Sequence, residues 1–97
     1  MLVRLTEVCA NGAVTSPNTY ILRDVFVNPE HVIMIREEKR IKELNERGVL
    51  TEGLDINHRF SKITINRGQT GTEIIVVGAP DVVEIKLQNN SKQVLRG

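Results

Sequence analysis

Residues 60–77 read FSKITINRGQTGTEIIVV, and the architecture follows from them. Ile63 and Ile65 alternate with Lys62, Thr64 and Asn66, the period-two pattern of a strand with one buried face. Gly68-Gln69-Thr70-Gly71 supplies a glycine-rich turn, and Glu73 to Val77 returns as a strand apolar on both faces. Two strands joined so closely form an antiparallel hairpin. Gly78-Ala79-Pro80 breaks the second strand.

Beyond that break, Asp81 to Leu87 (DVVEIKL) predicts a short helix. Pro80 suits its first position, Asp81 and Glu84 sit near its positive end, and Lys86 lies near the other. Val83 and Leu87 share one face, although the alternation of Val83, Ile85 and Leu87 also fits a strand. Residues 89–97 form a polar tail expected to fray.

Upstream of the hairpin the chain changes character. Glu37 to Arg47 (EEKRIKELNER) holds strong helix formers, with opposite charges four apart at Glu38/Lys42, Lys39/Glu43, Lys42/Glu46 and Glu43/Arg47. Each such pair contributes about 0.2–0.5 kcal/mol. Only Ile41 and Leu44 form an apolar stripe, so the helix docks along one narrow edge. Gly48 fits the residue just past a helix end, with Val49 placed to pack back. This helix is either a solvated face laced with ion pairs or a docking arm using Ile41, Leu44 and Val49. Thr51 to His58 is a polar connection, with Leu50, Leu54 and Ile56 as apolar anchors.

Tyr20 to Val27 (YILRDVFV) and His31 to Arg36 (HVIMIR) are apolar on both faces and are split by Asn28-Pro29-Glu30. That spacing predicts a second antiparallel hairpin, in the interior of the fold or at a protein contact. Leu2 to Val8 is a further short strand, followed by an Asn11-Gly12 turn and a polar loop over Ala13 to Thr19. The expected fold is therefore α+β. It has a small, mainly antiparallel β-sheet or barrel of about five strands, an inserted charged helix and a short C-terminal helix. Residues 1–88 make one small β-rich domain, with 37–58 as the inserted helix and loop. Surplus apolar strand faces are expected to be closed by another copy of the chain.

Composition narrows the function. The 97 residues carry 13 basic and 12 acidic side chains, a net charge of +1, which does not suit a polyanion-coating protein. The single cysteine excludes an internal disulfide and a four-thiolate metal site. No apolar run approaches the roughly 20 residues of a membrane span. MLVRLTEV at the start lacks the charged and apolar regions of a signal peptide, so a cytoplasmic location is expected.

Cys9, His31 and His58 have no spacing that unites a nucleophile with a base, and neither histidine has a partner at metal-ligand spacing. No catalytic residue, metal or cofactor is expected. Gly68 and Gly71 lack the lysine and following helix of a phosphate-binding loop, so they read as a hairpin turn. Arg59, Lys62 and Arg67, with Phe60 and the glycine loop, form the one candidate nucleic-acid surface. Tyr20, Phe26, Ile33, Ile35, Ile41 and Leu44 are the candidate interface residues for a homo-oligomer or a protein partner.

Taken with their turns, LTEVCANG (5–12), VNPEHVIMIREE (27–38), FSKITINRG (60–68) and EIIVVGAPDVVEIKL (73–87) follow one pattern. The chain resembles the small FlbD-type flagellar proteins, which open with a strand and an Asn-Gly turn and end with a glycine-turned hairpin and a short helix. It also resembles small proteins of T4-like marine bacteriophages, which fit its length better. The loop at Ala13–Thr19 and the Glu37–His58 insertion are extra here. The resemblance implies a non-enzymatic accessory protein acting through protein contacts, in the host cytoplasm if phage-encoded, and it transfers no catalytic residue.

Overall fold

The computed structural model describes residues 2–10, 20–48, 50, 54–68 and 70–96, and their side chains except those of 67, 70 and 89–96. Five strands form one antiparallel sheet: β1 (Val3–Ala10), β2 (Tyr20–Val27), β3 (Val32–Glu37), β4 (Phe60–Arg67) and β5 (Thr70–Val77), in the order β2-β1-β5-β4-β3. Helix α1 (Lys39–Glu46) is inserted between β3 and β4, and α2 (Pro80–Arg96) follows β5. The small α+β fold is the one the sequence predicts. No helix of the described residues is long and apolar enough to cross a membrane.

The hairpin read from residues 60–77 is present. Its ladder runs from Phe60 opposite Val77 to Arg67 opposite Thr70, leaving only positions 68 and 69 as the connection. Gly68 sits at φ 77°, the left-handed conformation such a tight connection demands.

The second expected hairpin is not formed. β2 pairs with β1 along its whole length and β3 pairs with β4, so the two strands lie at opposite rims of the sheet. The residues between them explain the change. Asn28 accepts a hydrogen bond from the Glu30 N–H at 3.0 Å and caps a 3-10 turn over Pro29–His31, which redirects the chain instead of reversing it. Four residues can join the two rims only because the sheet curls. Val27 and Ile63 share one buried cluster, although their strands stand three places apart in the order. In a flat sheet they would be about 14 Å apart, at roughly 4.8 Å per strand.

Curling creates the main core. Val3, Leu5 and Val27 of the β1–β2 ribbon meet Ile63 and Val76 of the β3–β4–β5 meander, and α2 adds Val83 and Leu87. A bulge between Val32 and Met34 directs both Val32 and Ile35 to this inner side and leaves Ile33 and Met34 exposed.

A second core lies on the outer face. Val8, Ile41, Leu50 and Phe60 are its buried members, with Tyr20, Leu22, Leu44, Leu54, Ile75 and Val77 packed around them. The apolar run EIIVV thus divides by alternation: Ile74 and Val76 turn inward, Ile75 and Val77 outward beneath the insertion. α2 packs on the inner face, and α1 with Leu50 and Leu54 packs on part of the outer one, while Ile21, Phe26, Ile33 and Met34 stay exposed. The Tyr20 N–H reaches the Leu50 carbonyl at 3.3 Å, tying the insertion to the β2 rim.

α1 begins two residues later than the charge pattern suggests. Glu37 ends β3, and Glu38 caps the helix by accepting from the Arg40 N–H at 3.1 Å. Gly48 lies just past the helix at φ 74°, as expected, whereas Val49 falls outside the described residues. Of the four expected charge pairs, Lys42–Glu46 forms, at 3.5 Å. The segment 81–87 is helical rather than a strand, and the α2 backbone continues to Arg96 through the stretch that reads as a polar tail.

Candidate functional site

The six candidate interface residues separate into two groups. Ile41 is 2% exposed in the second core, where Leu44 and Tyr20 also pack, and Ile35 packs against the main core. Phe26 on β2 and Ile33 on β3 are 60% and 62% exposed, one near each rim of the sheet. Met34, Ile21 and Leu2 are exposed as well, and the sequence reading did not single them out. The signal for Met34 was the unbroken run Val32-Ile33-Met34-Ile35. Four apolar residues in succession cannot all face one core, and here a bulge turns two of them outward.

Two of the three candidate nucleic-acid residues face carboxylates. Arg59 Nε donates to Glu37 Oε2 at 2.8 Å, and Lys62 Nζ lies 3.3 Å from Glu38 Oε2. The Arg59 hydrogen bond holds the Glu37 carboxyl below its usual range, and Glu37 in turn raises Arg59. Phe60 is 0% exposed, so its ring offers no surface for base stacking. The side chain of Arg67 lies outside the described residues.

Chemistry-bearing groups elsewhere are separated. The Cys9 thiol is pushed up first by burial and then by its hydrogen bond to Glu7, which disfavours the reactive thiolate. His31 is exposed in the 3-10 turn, and His58 Nδ1 lies 3.1 Å from the Asp55 carbonyl. Among the described residues, no three His, Cys, Asp or Glu side chains gather where they could hold a metal ion.

The most distinctive surface is the β1–β2 ribbon at its uncovered end. Alternation puts Val3, Leu5, Val25 and Val27 on the inner side, and Arg4, Thr6, Asp24 and Phe26 on the outer side. On that outer side Arg4 lies directly across from Phe26, and Thr6 across from Asp24. Beside this ribbon opens a cleft of about 460 Å³ with apolar walls from Val25, Val27, Ile65 and Ile74. This cleft opens on the inner side, and Phe26 and Leu2 also border it while remaining 60% and 57% exposed, so Phe26, on an edge strand, stands where the two faces meet. Among the described residues, α1 with Leu50 and Leu54 packs on the other end of the outer face, where Val8, Leu22 and Phe60 lie.

No protein-family model, curated protein or solved structure matches the chain. The surface itself therefore carries the functional argument. Large apolar side chains stand there beside Arg4 and Asp24, and among the described residues no other strand pairs with the outer edges of β2 and β3.

Proposed function

We propose that the chain is a non-enzymatic accessory or adaptor protein that works in the cytoplasm through protein–protein contacts, with self-association foremost. The observation that carries this reading is that both rims of the sheet present exposed large apolar side chains. Ile21 and Phe26 lie on β2, and Ile33 and Met34 on β3. Fully burying one such side chain contributes about 1.5–3 kcal/mol, so even a small contact there favours association. The resemblance to FlbD-type flagellar and marine phage proteins supports the same class of role, in a host cytoplasm if the chain is phage-encoded.

The test is the solution mass by light scattering behind a sizing column, at low and high salt. A closed oligomer that survives high salt is expected, because apolar contacts are not screened. A monomer under both conditions would overturn self-association and leave an adaptor for a different protein.

The alternative, a nucleic-acid-binding small β-barrel, has less beneath it. Its aromatic residue is buried, and Arg59 and Lys62 already face carboxylates. Binding of a fluorescent single-stranded oligonucleotide that falls steeply with salt, and disappears in the double variant Lys62→Ala/Arg67→Ala, would favour it over the adaptor reading.

A further inference from the structure

The uncovered outer face of the β1–β2 ribbon carries an arrangement that matches itself. Phe26 stands 60% exposed, Arg4 is its direct cross-strand neighbour, and Asp24 lies two residues along β2 on the same side. Most charges elsewhere on the sheet are paired within the chain: Arg23 with Glu7 at 3.7 Å, Arg59 with Glu37 at 2.8 Å, Lys62 with Glu38 at 3.3 Å. Among the described residues neither Arg4 nor Asp24 makes a salt bridge, although they carry opposite charges on one face.

We infer that this face docks onto the same face of a second copy of the chain. Phe26 packs at the centre, and Arg4 of each copy pairs with Asp24 of the other. The inference rests on the self-association reading and assigns it a surface. Cross-strand positions 4 and 26, and 6 and 24, form the corners of a near-rectangle. Arg4 and Asp24 occupy one diagonal; Thr6 and Phe26 occupy the other. A twofold axis parallel to the sheet along the Thr6–Phe26 diagonal exchanges the Arg4 and Asp24 positions between copies. Phe26, close to that axis, then meets its own image. One symmetry operation thus forms two Arg4–Asp24 pairs, one in each direction, and buries the exposed ring, as an isologous interface requires. The aromatic centre with charged pairs beside it also matches the usual layout of interface anchors.

The test is a charge-exchange cycle read by sedimentation equilibrium on the full chain. Asp24→Arg alone and Arg4→Asp alone each place like charges across the contact. Each is expected to weaken dimerisation about tenfold or more, and the double variant Arg4→Asp/Asp24→Arg to recover it to within about threefold. Phe26→Lys is expected to leave a monomer. All three substituted positions are exposed, and an unchanged far-UV circular dichroism spectrum shows that the monomer fold is retained.

If the unmodified chain is a dimer but the three charge variants do not alter its Kd, this interface is refuted. Self-association then stands at another surface, with Ile33 and Met34 the next to examine. If single variants weaken the dimer but the double variant does not restore it, the reciprocal pairing is refuted. If the unmodified chain stays monomeric up to about 1 mM, a range that includes weak association near −4 kcal/mol, both readings fall together.

Discussion

If two cores lie on opposite faces of one sheet, mutations within a face should interact while mutations across it should not. Leu50 is fully buried against Val8, Ile41 and Phe60, so Leu50→Ala should cost about 2–5 kcal/mol, the range for a buried leucine truncated to alanine. At about 4–8 °C per kcal/mol for a domain of this size, Tm should fall by roughly 8–40 °C. Ile41→Val in the same cluster should cost about 0.5–1.5 kcal/mol. Val83→Ala in the other cluster should cost about 2 kcal/mol, counting two lost methyl groups at about 0.8 kcal/mol each plus a small void. Urea melts of the single and double variants then decide the matter. Leu50→Ala with Ile41→Val should depart from additivity by about 0.5 kcal/mol or more, because the two side chains share one cavity. Leu50→Ala with Val83→Ala should add within about 0.3–0.5 kcal/mol, since the sheet separates them. Coupling across the sheet as strong as within the face would mean one continuous core and would refute the two-faced architecture.

Three further outcomes follow from single sites. Gly78 sits at φ 124°, and a Cβ there would meet Val83 Cγ2 at 3.3 Å, whereas Gly48 at φ 74° has open space around its Cα. Gly78→Ala should therefore destabilise by more than the ~1–2 kcal/mol of backbone strain expected for Gly48→Ala, and equal urea midpoints would contradict this. The Glu37 carboxyl is held below its usual range by Arg59, so the pair's stabilisation is present at and above the ordinary carboxylate pKa. It is lost as pH falls through the lowered value. The urea midpoints of the chain and of Arg59→Gln should accordingly converge as pH falls below the ordinary carboxylate range, and parallel curves would show that Arg59 does not set this titration. Burial and Glu7 raise the Cys9 thiol, so iodoacetamide should label it more slowly at pH ~8 than a free thiol, and Glu7→Gln should accelerate labelling. An unchanged rate in Glu7→Gln would remove Glu7 as a cause.

The parts of this fold that were readable in the chain are those decided by near neighbours. The β4–β5 ladder follows from alternation at Ile63 and Ile65 and from one glycine at φ 77°. The end of α1 follows from Gly48, which reaches the left-handed region without Cβ strain. The pairing of β2 with β1 is not legible locally, because a proline turn between two apolar runs looks alike whether the chain reverses or crosses between rims. The candidate interface was half legible for a related reason. An apolar residue on a strand looks the same in a core and on a surface, so Ile41 and Phe26 could not be told apart by type.

By itself the sequence determined the types of the main elements, the tight β4–β5 hairpin and the helix insertion, because each depends on residues a few positions apart. Only the tertiary structure decided that β2 and β3 occupy opposite rims and that EIIVV feeds two separate cores. Only it decided that Ile41 is enclosed while Phe26 and Ile33 stand free. Those outcomes depend on how far the sheet curls and on which faces the two helices then cover. Both are set by contacts between residues far apart in the chain, which no local pattern encodes.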